Sequence, residues 1–342
     1  MERILLIQLR QLGDILLTTP CIKAVRDQYP GARIDFLSHP MGRLVLDDNP
    51  WLDHHLIYDA DSRMNELKLI RHIRRQQYEL VVDFMNNPRS AVYTRLSGAP
   101  RRAGFRGGRS WAYNLTVPRM DGRATYIVTE KFSLLHALGI EAGDLHLHLP
   151  WFESHLKPVQ RLVRENRAFR SSGFRVALSP THRRPPRRWP LESWARLARD
   201  LVREKDATVI WIWGPGEEDL IDHIMADCPV ATIKAPPTTF REMAALLSNC
   251  DMFVGNSNGP SHVAVAAGLP SVQLHGPTHG ASWCPPGTPI HQVVQAAGQV
   301  ISEVSVEQVM KKINAIEAQP GPVREERQEA GLIRRWRISA DL

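Results

Sequence analysis

The chain has 342 residues, room for two domains rather than one small core, and its 43% hydrophobic and 23% charged residues are ordinary for a globular protein. No apolar run approaches the ~18 residues of a membrane span. Glu2, Gln8 and Arg10 argue against a secretory leader, and the scattered Cys21, Cys228, Cys250 and Cys284 form no C-x-x-C, so the expected setting is the reducing cytoplasm with no structural zinc. The formal net charge is +7. Arginine clusters at 71–75, 101–109, 183–188 and 334–337 carry the excess. They suit a polyanionic partner such as nucleic acid, an anionic membrane surface or a phosphorylated substrate, or else form a solvated basic surface.

In chain order, ILLIQL (4–9) reads as a strand, and Thr19-Pro20 as the N-cap and first position of a helix that runs to Gln28 and is closed by Pro30-Gly31. RIDFL (33–37) is the next strand. A helix over 66–77 precedes the buried strand ELVVDF (79–84). A turn-rich basic stretch follows to Met120, then a helix over 126–138 ending in Gly139. The second half repeats the rhythm. FRVALSP (174–180) is a strand, THRRPPRRWP a loop, and Leu191, Trp194, Leu197, Ala198 and Leu201 recur at helical spacing. ATVIWIWG (207–214) is a strand ending in Gly-Pro-Gly, Glu217 and Glu218 open a helix, and Thr239-x-x-Glu242 is a capping box for a helix to Asn249. A last helix spans 306–316. Alternating strands and helices imply parallel sheets. The expected fold is therefore α/β, with two Rossmann-like doubly wound domains whose strand ends face each other across a cleft. Their expected extents are 1–160 and 170–318, with the boundary in the polar stretch 153–172 and a charged tail at 319–342.

Residues 253–286, FVGNSNGPSHVAVAAGLPSVQLHGPTHGASWCPP, are the most informative. A strand runs into a small polar turn and then a helix that opens on Pro260 and ends at Gly268. A second strand, 271–275, runs into the turn Gly276-Pro277-Thr278. Free amides and the positive end of a helix dipole converge in such a turn, so the expected ligand bears phosphate. Asp14 follows Gly13 directly after the first strand, as either a helix cap or a cleft carboxylate able to act as a base. Asp59-Ala60-Asp61 is a D-x-D without a supporting pattern. GFRGG (104–108) is too short to be an RNA-binding tract. A dinucleotide-dependent dehydrogenase is disfavoured, because Gln11-Leu12-Gly13-Asp14 lacks the G-x-G-x-x-G turn.

RQLGDILLTTP, RRWP-x-x-x-W, Gly-Pro-Gly-Glu-Glu and NSNGPSH…GLPSVQLHGPT recur in this order in the ADP-heptose:lipopolysaccharide heptosyltransferases. The chain resembles that family from about Ile4 to Pro286, and its opening looks most like the heptosyltransferase III branch. The resemblance implies a metal-independent inverting GT-B glycosyltransferase that uses no cofactor. Its N-terminal domain would take the lipopolysaccharide inner-core acceptor and its C-terminal domain the ADP-heptose donor. Asp14 matches the family's catalytic aspartate. Arg187 stands where a lysine usually contacts the leaving diphosphate, with Arg188 as the spare candidate. Glu218 stands where a glutamate bonds the ribose, with Glu217 beside it.

Gly13, Thr181, Ser257, Asn258, Gly259, Pro260, Ser261, His262, Gly276 and Thr278 complete the implied donor site. The amides of Ser261 and His262 are expected to point at the diphosphate. His262 is a candidate phosphate ligand or a hydrogen-bonded structural histidine. Ser257-Asn258-Gly259 departs from the family's Asp-Ser/Thr-Gly, with a hydroxyl in place of a carboxylate, which keeps another nucleotide sugar, or an epimerase on the same fold, as the alternative. A non-catalytic protein holding an anionic glycolipid through its arginines is the other alternative. The arginines of 89–109 are expected to face the phosphorylated core or the cytoplasmic leaflet in peripheral contact, and no nucleic-acid partner is expected.

Overall fold

A computed structural model describes residues 1–58, 62–121, 124–171 and 173–319. Internal contacts divide the chain into two compact units, Met1–Pro150 and Trp151–Leu342. The first holds strands β1 (Arg3–Ile7), β2 (Arg33–Ser38), β3 (His54–Ile57), β4 (Leu80–Asp83), β5 (Arg101–Phe105) and β6 (Leu115–Val117). The second holds β7 (Arg175–Ser179), β8 (Thr208–Trp211), β9 (Ile233–Lys234), β10 (Met252–Asn256), β11 (Ser271–His275) and β12 (His291–Gln295). Every pairing in both sheets is parallel. The strand orders are β3-β2-β1-β4-β5-β6 and β12-β11-β10-β7-β8-β9. These are one topology used twice. In each, the first strand lies centrally, the second beside it on one side and the fourth on the other. The order reverses between β1 and β4 and between β7 and β10, and in doubly wound sheets ligands bind outside the carboxyl ends of such a pair.

Parallel strands covered on both faces need near-continuous apolar sequence. Ile4–Ile7 and Met252–Val254 supply it and are fully buried or nearly so. The core of the second unit is built on tryptophan. Trp189, Trp194 and Trp211 have no exposed surface. The first two meet edge to face at 5.0 Å, and Trp189 Nε1 donates to the Val304 carbonyl at 2.8 Å. This fixes the end of the arginine-rich loop against the helix Leu191–Lys205. The helix Gly259–Ala266 is closed by Gly268 at φ +62°, a left-handed residue past the helix end that glycine adopts without strain.

Several expectations are corrected. The polar stretch 153–172 is not a linker: a 3-10 turn (Glu153–Leu156) leads into the helices Lys157–Glu165 and Arg167–Ser171. Pro158, Val159, Leu162 and Val163 bury one face of the longer helix against the helix Phe240–Leu247, so the segment belongs to the second unit. The basic stretch after β4 is not merely turns. Asn87 accepts from the Ser90 amide at 2.7 Å and starts a helix, Pro88–Leu96, and β5 and β6 follow. Gly104 lies in β5 with its Cα against the Tyr113 ring, so GFRGG is part of a sheet. Thr19 is not a cap. The N-cap is Thr18, and both hydroxyls donate to carbonyls, of Asp14 and Leu16, at 2.7 Å. The edge strands β3, β9 and β12 had no expected counterpart. Asp59-Ala60-Asp61 and residues 320–342 lie outside the described residues.

The Thr239–Glu242 capping box forms as expected, with Thr239 N–H donating to Glu242 Oε2 at 2.8 Å and Glu242 N–H to Thr239 Oγ1 at 3.3 Å. Thr239→Ala is expected to lower the unfolding free energy by about 1 kcal/mol, read as a reduced urea midpoint at unchanged slope.

Candidate functional site

The carboxyl ends of β7 and β10 are tied together by two asparagines. Asn256, the last residue of β10, donates from Nδ2 to the Pro180 carbonyl at 2.6 Å and accepts from the Trp189 amide at 3.3 Å. Asn258 caps the helix Gly259–Ala266 through Oδ1, accepting from the Ser261 amide at 3.2 Å. Its Nδ2 donates to Ser179 Oγ at 3.1 Å and to the Thr181 carbonyl at 2.7 Å. Ser261 Oγ donates to the Asn256 carbonyl at 2.7 Å. The bonds of Asn256 and Asn258 to Ser179, Pro180, Thr181 and Trp189 join the strand that carries the turn to β7 and the loop after it, while the two bonds of Ser261 brace the turn itself.

This geometry corrects one expectation. The Ser261 amide, expected to point at the ligand, is used by the cap, and Pro260 has no N–H to offer. Among the described residues the amides of Asn258, Gly259 and His262 have no acceptor in the protein. They are the available donors at this helix start, where the dipole favours an anion. Ser257, Asn258, Gly259 and Pro260 are half-buried at this rim, while Thr181 is buried behind it.

The two neighbouring arginines differ. Arg188 is exposed and donates from Nε to the His182 carbonyl at 2.5 Å, which commits it to its own loop. Arg187 is half-buried with no side-chain acceptor among the described residues. Burial first, and then Arg184, lower its pKa, but a guanidinium remains charged. Its positive charge reaches His182 and His275 and helps hold both imidazoles neutral, although burial is the larger cause in each. His275 is brought down to about 3 and His262, through burial alone, to about 4. His262 is therefore a neutral buried ring, 5.9 Å from Trp283, with Nδ1 unpartnered.

His275 Nε2 and both amide atoms of Gln273 are likewise buried without partners. His182, Gln273 and His275 were missed in the sequence. A glutamine and a histidine two residues apart in the buried strand SVQLH were the available signal.

Gly276 and Glu218 are placed differently from expectation. Gly276 is buried, and a Cβ there would lie 2.7 Å from the Ile301 amide nitrogen, so close packing requires a glycine at this position. Thr278 Oγ1 lies 3.4 Å from His275 Nδ1. Glu218 is exposed and bonded to Lys234 Nζ at 2.8 Å, whereas Glu217 accepts from the Gly214 amide at 2.9 Å and organises the turn itself.

In the first unit, Gly13 and Asp14 lie in a short helix, Leu12–Leu16, directly after Gln11, which sits at φ +64°. Asp14 is inside that helix and is not its cap. It is half-buried, and burial raises its pKa while the nearby Lys131 opposes the rise. Lys131 and Glu130 are both buried in the helix Ile127–His136. Glu130 pairs with Arg119 at 2.9 Å. The sequence reading missed both, although two adjacent charges inside the apolar run IVTEKFSLL were a visible signal. Among the described residues no three His, Cys, Asp or Glu side chains cluster as metal ligands, and no helix is long and apolar enough to cross a membrane.

A model of glycosyltransferase family 9 (heptosyltransferase) matches residues 66–314. Lipopolysaccharide heptosyltransferase 3 of Escherichia coli (strain K12) is 28% identical over 294 residues, covering 81% of this chain and 83% of that protein. A family 9 glycosyltransferase from Veillonella parvula superposes with a TM-score of 0.79 at 21% identity, over 92% of this chain and 97% of that one. Escherichia coli ADP-heptose LPS heptosyltransferase II does so with a TM-score of 0.74 at 21% identity, over 92% and 98%. The fold is that of the GT-B heptosyltransferase structures.

Asn258→Ala removes the cap and both cross-strand ties. It is expected to cost about 1–2 kcal/mol of stability, whereas Asn258→Asp, which keeps the cap, is expected to lose less. Chemical denaturation of the two variants measures the difference.

Proposed function

Because the chain belongs to glycosyltransferase family 9, the heptosyltransferases, we propose that this glycosyltransferase moves heptose from ADP-heptose to the inner core of lipopolysaccharide. The observation that carries the reading is the β7/β10 switch point, with backbone amides free of protein acceptors at a helix start and Arg187 half-buried and uncommitted in the loop that Asn256 ties to β10. That combination suits a diphosphate, and ADP-heptose is named for the similar Escherichia coli enzyme. The acceptor hydroxyl attacks the anomeric carbon and gives its proton to the Asp14 carboxylate. The bond from that carbon to the diphosphate oxygen breaks, and the configuration inverts. The charge left on ADP is stabilised by the Asn258 and Gly259 amides and by Arg187, fixed dipoles and charge that need no reorganisation during the reaction. Glu218 would reach the ribose only by giving up Lys234. Ser257 in place of the family's carboxylate favours a second reading, a different nucleotide sugar. Calorimetry with ADP-, UDP- and GDP-sugars separates the two.

Peripheral membrane contact is better assigned to the helix Arg63–Arg75 than to residues 89–109. In the latter stretch Arg89 is paired with Glu66 at 3.1 Å, Arg102 donates to the Ala99 and Ala112 carbonyls at 2.6 and 3.0 Å, and Arg109 donates to the Asn86 carbonyl at 3.3 Å. The helix turns Leu69, Ile70 and Ile73 inward and exposes Lys68, Arg71, Arg74 and Arg75 beside Met64 (63% exposed) and Leu67 (50%). Basic side chains flanking apolar ones fit an anionic lipid surface.

Each assigned role has an expected outcome. Asp14→Asn should bind ADP normally and lose roughly 10²–10⁴ in turnover. In the same titration, Arg187→Ala should weaken ADP binding by about 1.5–3 kcal/mol and Arg188→Ala very little. Because burial raises the Asp14 pKa, kcat/KM of the native enzyme should fall on acidification at a pH above that of a free aspartate. Separately, reversing Arg71, Arg74 and Arg75 to Glu should abolish sedimentation with phosphatidylglycerol vesicles, each lost cation weakening binding by ~1 kcal/mol.

A further inference from the structure

Lys131 is 3% exposed, yet its ammonium forms no ion pair among the described residues. Nζ donates to two neutral oxygens, Gln8 Oε1 at 2.8 Å and Thr18 Oγ1 at 2.9 Å, and lies 5.5 Å from the centre of the Phe84 ring. A buried cation held by neutral acceptors is costly, and such a group is not explained by stability. Its two acceptors bracket the turn that carries Asp14. Gln8 ends the run from β1 and donates from Nε2 to the Arg10 carbonyl at 3.3 Å. Thr18 stands on the other side and donates from Oγ1 to the Asp14 carbonyl at 2.7 Å. Between them Gln11 is held at φ +64°, a conformation that L-residues seldom adopt without surrounding support.

We propose that Lys131 is a positioning residue for the transfer reaction: from the helix behind the turn it pins both flanks of the loop that carries the Asp14 carboxylate. The inference rests on the reading of Asp14 as the base. The titratable and charged groups around Lys131 are Asp14, Cys21 on the helix Thr19–Gln28, Glu130 on its own helix, and Arg119. Glu130 and Arg119 neutralise each other at 2.9 Å. Burial pushes the Cys21 thiol up to about 12, so it carries no charge near neutrality. Asp14 is the group left for the ammonium to act on.

Burial is also the largest influence on Lys131 itself and lowers its pKa below the unfolded value. The charged form therefore costs stability at neutral pH, and that cost fades as pH rises toward the ordinary lysine range, where the folded protein has already lost the proton. A lysine kept for stability would behave in the opposite way.

The test is steady-state kinetics across pH with ADP-heptose and a truncated lipopolysaccharide, alongside thermal melting and ADP calorimetry. Lys131→Met is expected to melt no lower than the native protein and to bind ADP equally well. It should lose roughly tenfold or more in kcat as the loop loosens, and its acid limb of kcat/KM should move to higher pH. Lys131→Arg, which keeps the charge, should restore the limb toward its native position. A Lys131→Met enzyme with native kcat and an unmoved limb would overturn the proposal. If that variant does not fold, Thr18→Val carries the test: it removes the hydroxyl linking Nζ to the Asp14 carbonyl, and native kcat there would also overturn it. Asp14→Asn, run in parallel, separates the two readings. An active Asp14→Asn defeats the base assignment, whereas an inactive one beside an unimpaired Lys131→Met and Thr18→Val defeats only the role of Lys131.

Discussion

A doubly wound parallel sheet reverses its strand order once, and at that point two adjacent strands send their chains off in opposite directions. The ends of β7 and β10 would splay there without a link. Asn256 and Asn258 provide it, each amide nitrogen donating to the neighbouring strand's outgoing loop while Asn258 Oδ1 caps the helix. The same bonds determine which backbone donors remain for a ligand. A cap that uses the Ser261 amide, together with a proline that has none, leaves the free amides at the rim of the turn. Holding the crevice together and choosing its donors are therefore one event, and the arginine loop is brought to it because the Trp189 amide also bonds Asn256.

The buried histidines extend this logic. His262 and His275 are uncharged, each with one buried nitrogen that has no partner, and Arg187 adds to the field that keeps His275 so. The floor of the site is thus polar without carrying charge of its own. Arg188 differs from Arg187: the same side-chain type, one residue on, spends its donors on a loop carbonyl.

Much of the architecture was legible because parallel strands are written as apolar runs and helices as runs with caps. FRVALSP, ATVIWIWG and SVQLH are strands where expected, and the Thr239 capping box forms. The edge strands β3, β9 and β12 were illegible because they are short and only partly buried, so their residues carry no alternation or continuous apolar signal. The helix Lys157–Glu165 was hidden by its charged outer face. At the site, residue types near the turn could be read, but which amide is free could not, since that depends on whether an asparagine side chain turns toward Ser261. Gly276 reads as a turn glycine, and only its distance to Ile301 shows how closely it is packed. Lys131 was invisible for a different reason: its partners lie more than a hundred positions away along the chain.

The repeated strand order has a consequence of its own. Beside its first strand, one copy of the scaffold sets a carboxylate with an ammonium behind it; beside the corresponding strand, the other sets hydrogen-bearing nitrogen and a guanidinium. In the proposed reaction one half collects a proton and the other a departing anion. Bond making and bond breaking can thus change in evolution one half at a time, so that a new donor could be acquired by rewriting a few side chains in one copy while the chemistry of the other stays as it was.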